Sequence, residues 1–321
     1  MSEQKQVVII DDGYETYDVE TSILAAVGAT VQVTPCHGDA GKVIAATAQA
    51  DAVLVRESPV NAAVIDAMQR CKVIVRYGIG VDNIDQKAAA AKHIHVANVP
   101  DYGVEEVSDH ALALLLTIAR RTNTRDVAVR QGAWNVSRAE PMYRMQGSTL
   151  GLIGYGRIAR ALERKMRAIG ATRVLVYDPW VKPGQYPDIE LTDVDTLCAE
   201  ADYVSLHCPL TEQNHHIVDA KRIAAMKPHA IVVNTARGGL IDEDALAEAL
   251  AGRRLLGAGI DVFEKEPLRA DHPLKQCANA VLTDHTAWYS EQSVAELQRK
   301  AAEEAARVLS GQAPLNWLNR W

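Results

Sequence analysis

The sequence predicts an α/β fold made of two doubly wound parallel sheets, on three observations. Short apolar runs alternate with helical patterns along most of the chain, the order that lays helices on both faces of a parallel sheet. One stretch, residues 149–178, reads strand, glycine turn, helix, strand, acid. The 321 residues exceed one domain of ordinary size, and the alternation falls into two series.

In the first series, strands are expected at 6–11, 30–35, 51–56, 72–76 and 94–98, with helices near 18–27, 42–50, 61–69 and 84–92. Together they make one small doubly wound sheet over residues 1–100. It contains a decoy, Gly78-Ile79-Gly80, with no third glycine or alanine at the right place and with Asp82-Asn83 where a phosphate would have to sit. A long helix is expected at 104–121, apolar on nearly every face from Ala111 to Ala119 and so buried all round, between domains or against a second subunit. A second helical segment, 124–131, leads to a loop with Trp134, Pro141 and Tyr143. The chain is expected to cross at about Pro100 into a second domain, 101–289. Its later strands lie near 203–207, 230–234, 257–261 and 280–283, and its helices near 193–199, 220–225 and 242–251. The last helix, 291–309, opens a segment, 290–321, that returns to the first domain.

The second series begins at the organising stretch. Its first strand stops at Gly154-Tyr155-Gly156-Arg157-Ile158-Ala159, and its second strand stops at Asp178. Gly154 permits the tight turn, Gly156 lets a pyrophosphate approach the backbone, and Ala159 is small enough for the helix to pack on the strand. The helix N-terminus offers unpaired N–H groups and partial positive charge to phosphates. Asp178 stands at the spacing of a carboxylate that bonds ribose hydroxyls. A GxGxxA string alone is weak; with both strands, the helix and the acid present, it predicts a Rossmann dinucleotide site. A 2′-phosphate about 4 Å from that carboxylate would cost a few kcal/mol at an effective dielectric near 20, so NAD is expected over NADP.

Composition narrows the rest. Apolar residues make up 48% and charged residues 23%, which is ordinary for a soluble globular chain. The net charge of −7, without a basic cluster, argues against nucleic acid and anionic membranes as ligands. The start lacks a signal peptide's apolar core, and the longest strongly apolar run, 111–116, is far below a membrane span. Five cysteines, odd in number and without a CxxC pair, read as reduced thiols of a cytoplasmic protein.

Ligands of an open α/β sheet sit beyond the carboxyl ends of its strands, so the polar residues there are the ones to inspect. Arg237 follows an apolar strand and precedes two glycines, and its guanidinium suits a carboxylate held through two hydrogen bonds. His285 closes another strand, with Glu266 in the preceding segment; a carboxylate beside an imidazole favours the charged ring, which can deliver a proton. Each residue alone is more often structural. The joint placement of Arg, Glu and His at strand ends points to chemistry.

With these residues in place, the chain resembles the D-isomer-specific 2-hydroxyacid dehydrogenases, most closely their C-terminal binding protein branch. The resemblance is carried by RYGIGVDNID (76–85), GLIGYGRI (151–158), LHCPLTEQNHH (206–216), VNTARGGLIDEDAL (233–246), GIDVFEKEP (259–267) and HTAWYSEQS (285–293). It implies a flavodoxin-like substrate domain and a Rossmann NAD domain with the active site in the cleft between them. It implies a triad in which Arg237 holds the substrate, His285 is the acid/base and Glu266 keeps that histidine protonated. His207, Cys208, Pro209 and the run on to Asn214 would line the NAD site, as would Thr235, Ala236, Asp261, His285 and Trp288. Arg76 and Tyr77, with the backbone of Gly78 and Ile79, would bind substrate from the other domain. Trp288 would wall the pocket, which Tyr77, Tyr102 and Met142 would frame unless they are simple packing. The expected reaction is reduction of a small or medium 2-oxo acid to a D-2-hydroxy acid by NADH, in a homodimer joined through the nucleotide domain.

One residue departs from the family pattern. Asp284 stands where proline usually precedes the catalytic histidine, and either draws the ring further toward its charged form or turns to solvent. A second functional reading is an NAD-sensing, corepressor-like interaction module with little or no turnover. Against it, the triad is complete and the chain stops at Trp321, soon after the last helix. A metal is not expected: His215-His216, at i and i+1, would point their rings apart on a helix, and His93 and His95 lack a third ligand.

Overall fold

The computed structural model describes residues 4–134 and 140–321, so part of the loop carrying Trp134 and Pro141 lies outside the described residues. The chain divides into two compact units, one formed by the chain up to Gly103 with Ser290–Trp321, the other by Val104–Tyr289.

The first unit alternates β1 (Lys5–Ile9), α1 (Asp18–Ala25), β2 (Ala29–Val33), α2 (Ala40–Thr47), β3 (Ala52–Val55), α3 (Ala62–Ala67), β4 (Val73–Arg76), α4 (Gln86–Ala91) and β5 (His95–Ala97). The strands form one sheet in the order β2-β1-β3-β4-β5, and every pairing is parallel. Strand β3 is buried at every residue, as a strand covered on both faces must be. Asp39, Asn61 and Asp85 cap α2, α3 and α4 by accepting from backbone N–H groups, each cap contributing about 1 kcal/mol. The final helix, α11 (Glu291–Leu309), belongs to this unit. Gln298 on it donates to both oxygens of the buried Glu20 on α1, at 3.1 and 3.2 Å. Asn319 then clips the edge strand β5, accepting from Val96 N at 2.7 Å and donating to Ile94 O at 2.9 Å.

The second unit contains α5 (Val104–Arg120), α6 (Thr122–Arg130), β6 (Ser148–Ile153), α7 (Arg157–Ala168), β7 (Ala171–Tyr177), β8 (Glu190–Leu191), α8 (Val194–Glu200), β9 (Tyr203–Leu206), α9 (Ala220–Ala225), β10 (Ile231–Asn234), α10 (Glu243–Ala251), β11 (Gly257–Ile260) and β12 (Ala280–Leu282). Its parallel sheet runs β12-β11-β10-β9-β6-β7-β8. The register decides where the site lies. Tyr177 pairs with Ile153, Ile153 with Leu206, Leu206 with Asn234, Asn234 with Ile260, and Ile260 with Leu282. Six strands therefore end in one row, and the residues just past them emerge along a single edge.

Two expectations change. Helix α5 is not buried all round: Ala113 is exposed, while Leu114 and Ile118 lie over Gly259 and Gly257 of β11. The apolar stripe packs on the sheet, with Ala111 and Ala119 buried in it, and the outer face at Ala113 is open within this chain. The two-residue β8 was not foreseen; it is exposed and held at the sheet edge by Arg173, whose guanidinium bonds Glu190 at 2.7 Å. No helix among the described residues is long and apolar enough to cross a membrane.

Candidate active site

The turn after β6 is the first feature on the sheet's carboxyl edge. Gly154 adopts φ 89°, and a Cβ there would stand 2.7–2.9 Å from the backbone of His207 and Cys208. Only glycine admits that approach. The two loops meet where the strand order reverses, between β6 and β9, the place where open α/β sheets bind ligands. Gly156 is the N-cap of α7 and gives it no side-chain cap, and nothing lies within 4 Å of the position its Cβ would take. That first turn has room at Gly156 for an anion to approach its N–H groups. Asp178 is fixed relative to the turn, its Oδ2 accepting from Tyr155 N at 2.7 Å and its Oδ1 from Trp180 N at 2.8 Å. Arg157 is exposed and Ile158 half-buried, while the Tyr155 ring is buried and its hydroxyl bonds Glu163, so this tyrosine offers the site only its backbone.

The loop after β9 is braced from within. The His207 ring meets Ser205 Oγ at 2.9 Å, and burial pushes its pKa down to about 4. Burial pushes the Cys208 thiol up to about 11, which leaves it inert as a nucleophile. Asn214 closes the turn, its side chain accepting from Thr211 N at 2.6 Å and donating to Pro209 O at 2.8 Å. After β10, Asn234 accepts from Ala236 N and donates to Arg237 O, holding the segment that presents Thr235, Ala236 and Arg237. Thr235 Oγ1 is buried with no hydrogen-bond partner among the described residues. A buried hydroxyl of that kind calls for a ligand or water.

Asp261, buried after β11, organises the loop beyond β12. It accepts from Thr283 Oγ1 at 2.6 Å, Thr286 N at 3.0 Å and Ala287 N at 3.1 Å, and its carbonyl accepts from His285 N at 2.8 Å. That loop presents His285, whose Nδ1 lies 2.7 Å from Glu266 Oε2. Burial alone would raise the Glu266 carboxyl. Hydrogen bonds from His285 and Phe263 N, with the charges of His285 and Arg237, outweigh it and hold the group below the usual carboxylate range. Arg, Glu and His thus converge electrostatically on one edge. Asp284 is exposed, the second of the two outcomes expected for it. Trp288 is half-buried, edge-on to Tyr289.

In the first unit, Arg76 to Ile79 come at the end of β4. Of the two alternatives for Tyr77, packing holds: the residue is 2% exposed and its hydroxyl donates to Glu20 at 2.8 Å, so it packs the core rather than framing a pocket. Tyr102 is likewise buried. The N–H of Gly78, expected to meet a substrate carboxylate, donates instead to Arg76 O at 3.0 Å in a turn with φ 139°.

Two features escaped the sequence. His110 on α5 meets Thr283 Oγ1 at 3.0 Å and lies 3.5 Å from Asp261, bracing the His285 loop from a helix far back in the chain. The expectation for His215 and His216 is overturned. They come after a short 3₁₀ turn, His215 extends (φ −56°, ψ 129°) and His216 reverses at φ 52°, so no helix separates the rings. The rings stack 3.9 Å apart, and both Nε2 atoms lie 2.8 Å from Glu264 Oε1.

Residues 112–287 match the D-isomer specific 2-hydroxyacid dehydrogenase, NAD binding domain. The chain is 39% identical over 289 residues to D-3-phosphoglycerate dehydrogenase of Mycobacterium tuberculosis, covering 89% of this chain and 53% of that one. It therefore spans about half the length of the curated relatives it matches. Among solved structures, the TT0316 protein from Thermus thermophilus is 35% identical with a TM-score of 0.87, covering 98% of this chain and 99% of that one. D-lactate dehydrogenase from Aquifex aeolicus, solved with NAD and lactic acid, is 27% identical with a TM-score of 0.85, over 95% and 96% of the two chains. The chain belongs to the D-isomer specific 2-hydroxyacid dehydrogenase family. Its second unit carries that family's NAD-binding domain. D-3-phosphoglycerate dehydrogenase and D-lactate dehydrogenase are both named as dehydrogenases.

Proposed function

We propose that the chain is an NAD-dependent 2-oxo acid reductase, interconverting a 2-oxo acid and a D-2-hydroxy acid, with Arg237, Glu266 and His285 as its catalytic residues. The observation that carries this reading is the 2.7 Å contact of His285 with an ionised Glu266 on the strand edge that also bears Arg237 and the glycine turn. NAD suits this edge: the uncapped N-terminus of α7 would take the diphosphate, Asp178 the ribose, and the orphaned Thr235 hydroxyl a polar group of the cofactor. When bound, NADH supplies the hydride. The chain's own work is to clamp the α-carboxylate with Arg237 and to hand the ketone oxygen a proton from His285. His285 is 42% and Glu266 36% exposed, so a substrate reaches the ring. Asp178 supports NAD over NADP by repelling a 2′-phosphate.

We assign substrate binding to Arg76 and the backbone of Ile79 in the first unit, and to Arg237 and Trp288 in the second. The name D-3-phosphoglycerate dehydrogenase raises a phosphorylated substrate as a second reading. Arg56, directly after β3, counts against it: its guanidinium lies across Gly13 and already pairs with Glu57 at 3.1 Å, so a phosphate would have to displace that carboxylate. A homodimer through the second unit is supported by the exposed Val127 and Val129 on α6, with Trp134 and Tyr143 beyond it. Five free thiols, four of them buried, support a reducing, cytoplasmic setting. The full triad favours turnover over an interaction module.

The test is loss of NADH absorbance with glyoxylate, pyruvate, hydroxypyruvate and phenylpyruvate, and NADH formation with D-lactate and D-3-phosphoglycerate. Turnover of at least one is expected, and His285→Ala should lower it by roughly 10²–10⁴ with NADH affinity unchanged. NADH binding without turnover of any acid would return the interaction-module reading.

A further inference from the structure

The second unit holds a donor cluster that the dehydrogenase reading does not use. His215 Nε2, His216 Nε2 and Glu264 Oε1 all lie within 4.8 Å of one another, with both nitrogens 2.8 Å from the same oxygen. Adjacent residues seldom aim two ring nitrogens at one point. Here the left-handed backbone at His216 folds the second ring onto the first, and their planes differ by only 27°.

The backbone that builds this convergence is rigid. His216 N donates to Gly239 O at 2.8 Å and Val218 N to Leu240 O at 3.0 Å, which pins the histidine turn to the loop after β10. A Cβ on Gly239 would stand 3.3 Å from His215 Cδ2, and one on Gly238 would overlap the Phe263–Glu264 backbone at 1.9–2.3 Å. The two glycines after Arg237 therefore make room for both halves of the cluster. Behind it, Glu264 N donates to Glu243 Oε1 at 2.7 Å, and Glu243 Oε2 meets His272 Nε2 at 2.9 Å. This chain of hydrogen bonds fixes the Glu264 backbone from behind.

We propose that His215, His216 and Glu264 form a divalent transition-metal site of the zinc type. Two imidazoles and one carboxylate are a borderline-soft set that suits Zn²⁺ and disfavours Mg²⁺ and Ca²⁺, which take oxygen ligands. Bonds of about 2.0–2.1 Å to zinc place tetrahedral donors about 3.3 Å apart. The present 2.8 Å spacings need open by only a few tenths of an ångström, at side chains that are 51%, 32% and 41% exposed. Water completes the coordination. The ion would clamp the 211–216 turn to the segment carrying Glu266.

Zinc chloride titrated calorimetrically into the whole chain is expected to fill one site per chain, with magnesium chloride giving none. His216→Ala and Glu264→Gln should each weaken zinc roughly tenfold or more, since loss of a mere supporting partner already costs that much. His93→Ala, exposed and remote in sequence, should leave it unchanged. Equal binding by His216→Ala, or no saturable site in the unaltered chain, overturns the proposal. Circular dichroism checks each variant's fold. Should a variant misfold, zinc titrated into the ¹⁵N-histidine-labelled unaltered chain decides. His215 and His216 must respond before the other eight histidines, and a response elsewhere first overturns the site. None of these readouts needs NADH, so the result is separate from the fate of the dehydrogenase assignment.

Discussion

Two glycine turns with the same spelling come after two parallel strands in this chain, and they are built for different ends. Gly154-Tyr155-Gly156 leaves β6 and enters the 12-residue helix α7 at once, with open space at Gly156 and Asp178 accepting from Tyr155 N. Gly78-Ile79-Gly80 leaves β4 and reaches the 6-residue α4 only several residues later. Its first glycine is filled from its own strand end: Arg76 donates to Tyr77 O, and its Nη1 lies 1.5 Å from where a Gly78 Cβ would be. A GxG string therefore says only that the backbone must bend. The neighbour of the bend, either a helix N-terminus with unspent N–H groups or an arginine laid across it, decides whether a diphosphate fits.

The strongest way to break this comparison is to add one methyl group to each turn. Gly154→Ala forces a side chain into φ 89° and within 2.7 Å of the Cys208 backbone nitrogen, which has nowhere to go. The strain and the overlap together cost about 3 kcal/mol. If that cost falls on the binding-competent turn, NADH affinity drops about a hundredfold in a fluorescence titration. Gly78→Ala also meets a positive φ, but its obstacle is the movable Arg76 guanidinium, so NADH affinity should not change while the melting temperature falls. Equal loss of NADH affinity in both variants would erase the distinction.

Asp178→Ser tests the acid half of the same contrast with a smaller effect. The serine keeps a short polar side chain for Trp180 N and Tyr155 N but drops the charge. The NADPH-to-NADH preference should move at least about tenfold toward NADPH, the change that about 1.4 kcal/mol produces. An unchanged ratio would mean the carboxylate serves the turn alone.

The contrast between the turns was legible in sequence because every part of it is local: apolar runs, glycine spacing, the helix beyond the turn and the acid after the next strand. The strands were legible for the same reason, since β3, β9, β10 and β11 are buried at every residue and, apart from Ser205 in β9 and Asn234 at the end of β10, spell apolar runs. The features that escaped rest on contacts between distant segments. His110 reaches the His285 loop across 173 residues of chain, and nothing in the pattern of α5 marks it. Tyr77 was left open between pocket and packing, and the buried Glu20, 57 residues earlier in the chain, draws it inward. The stacked histidines depended on one left-handed residue, His216, that periodicity does not register.

The smallest effect separates the two units by pH. His207 supports the β6 turn, and burial lowers its pKa from 6.5 to about 4, so the folded ring stays neutral where an unfolded one would take a proton. A depressed pKa means the unfolded chain binds more protons between those values. The second unit's stability is then full above about pH 6.5 and declines as pH falls toward 4, by on the order of 2 kcal/mol once partial exposure of the loop is discounted. His95 in the first unit is shifted in the same direction by burial, its ring stacked on Trp321 and edge-on to Trp317. His207→Gln should flatten the decline of one calorimetric transition and His95→Gln that of the other. Glu266, held low by its partners, contributes above its unfolded value and loses that contribution only as pH falls through its lower folded value. The histidine window therefore lies above the carboxylate one. If His207→Gln leaves both transitions declining as before between pH 6.5 and 4, the turn does not lean on a neutral ring, and the support inferred for it must come from the backbone: the His207 N–Ile153 O hydrogen bond at 2.7 Å and the close approach of the His207–Cys208 backbone to Gly154.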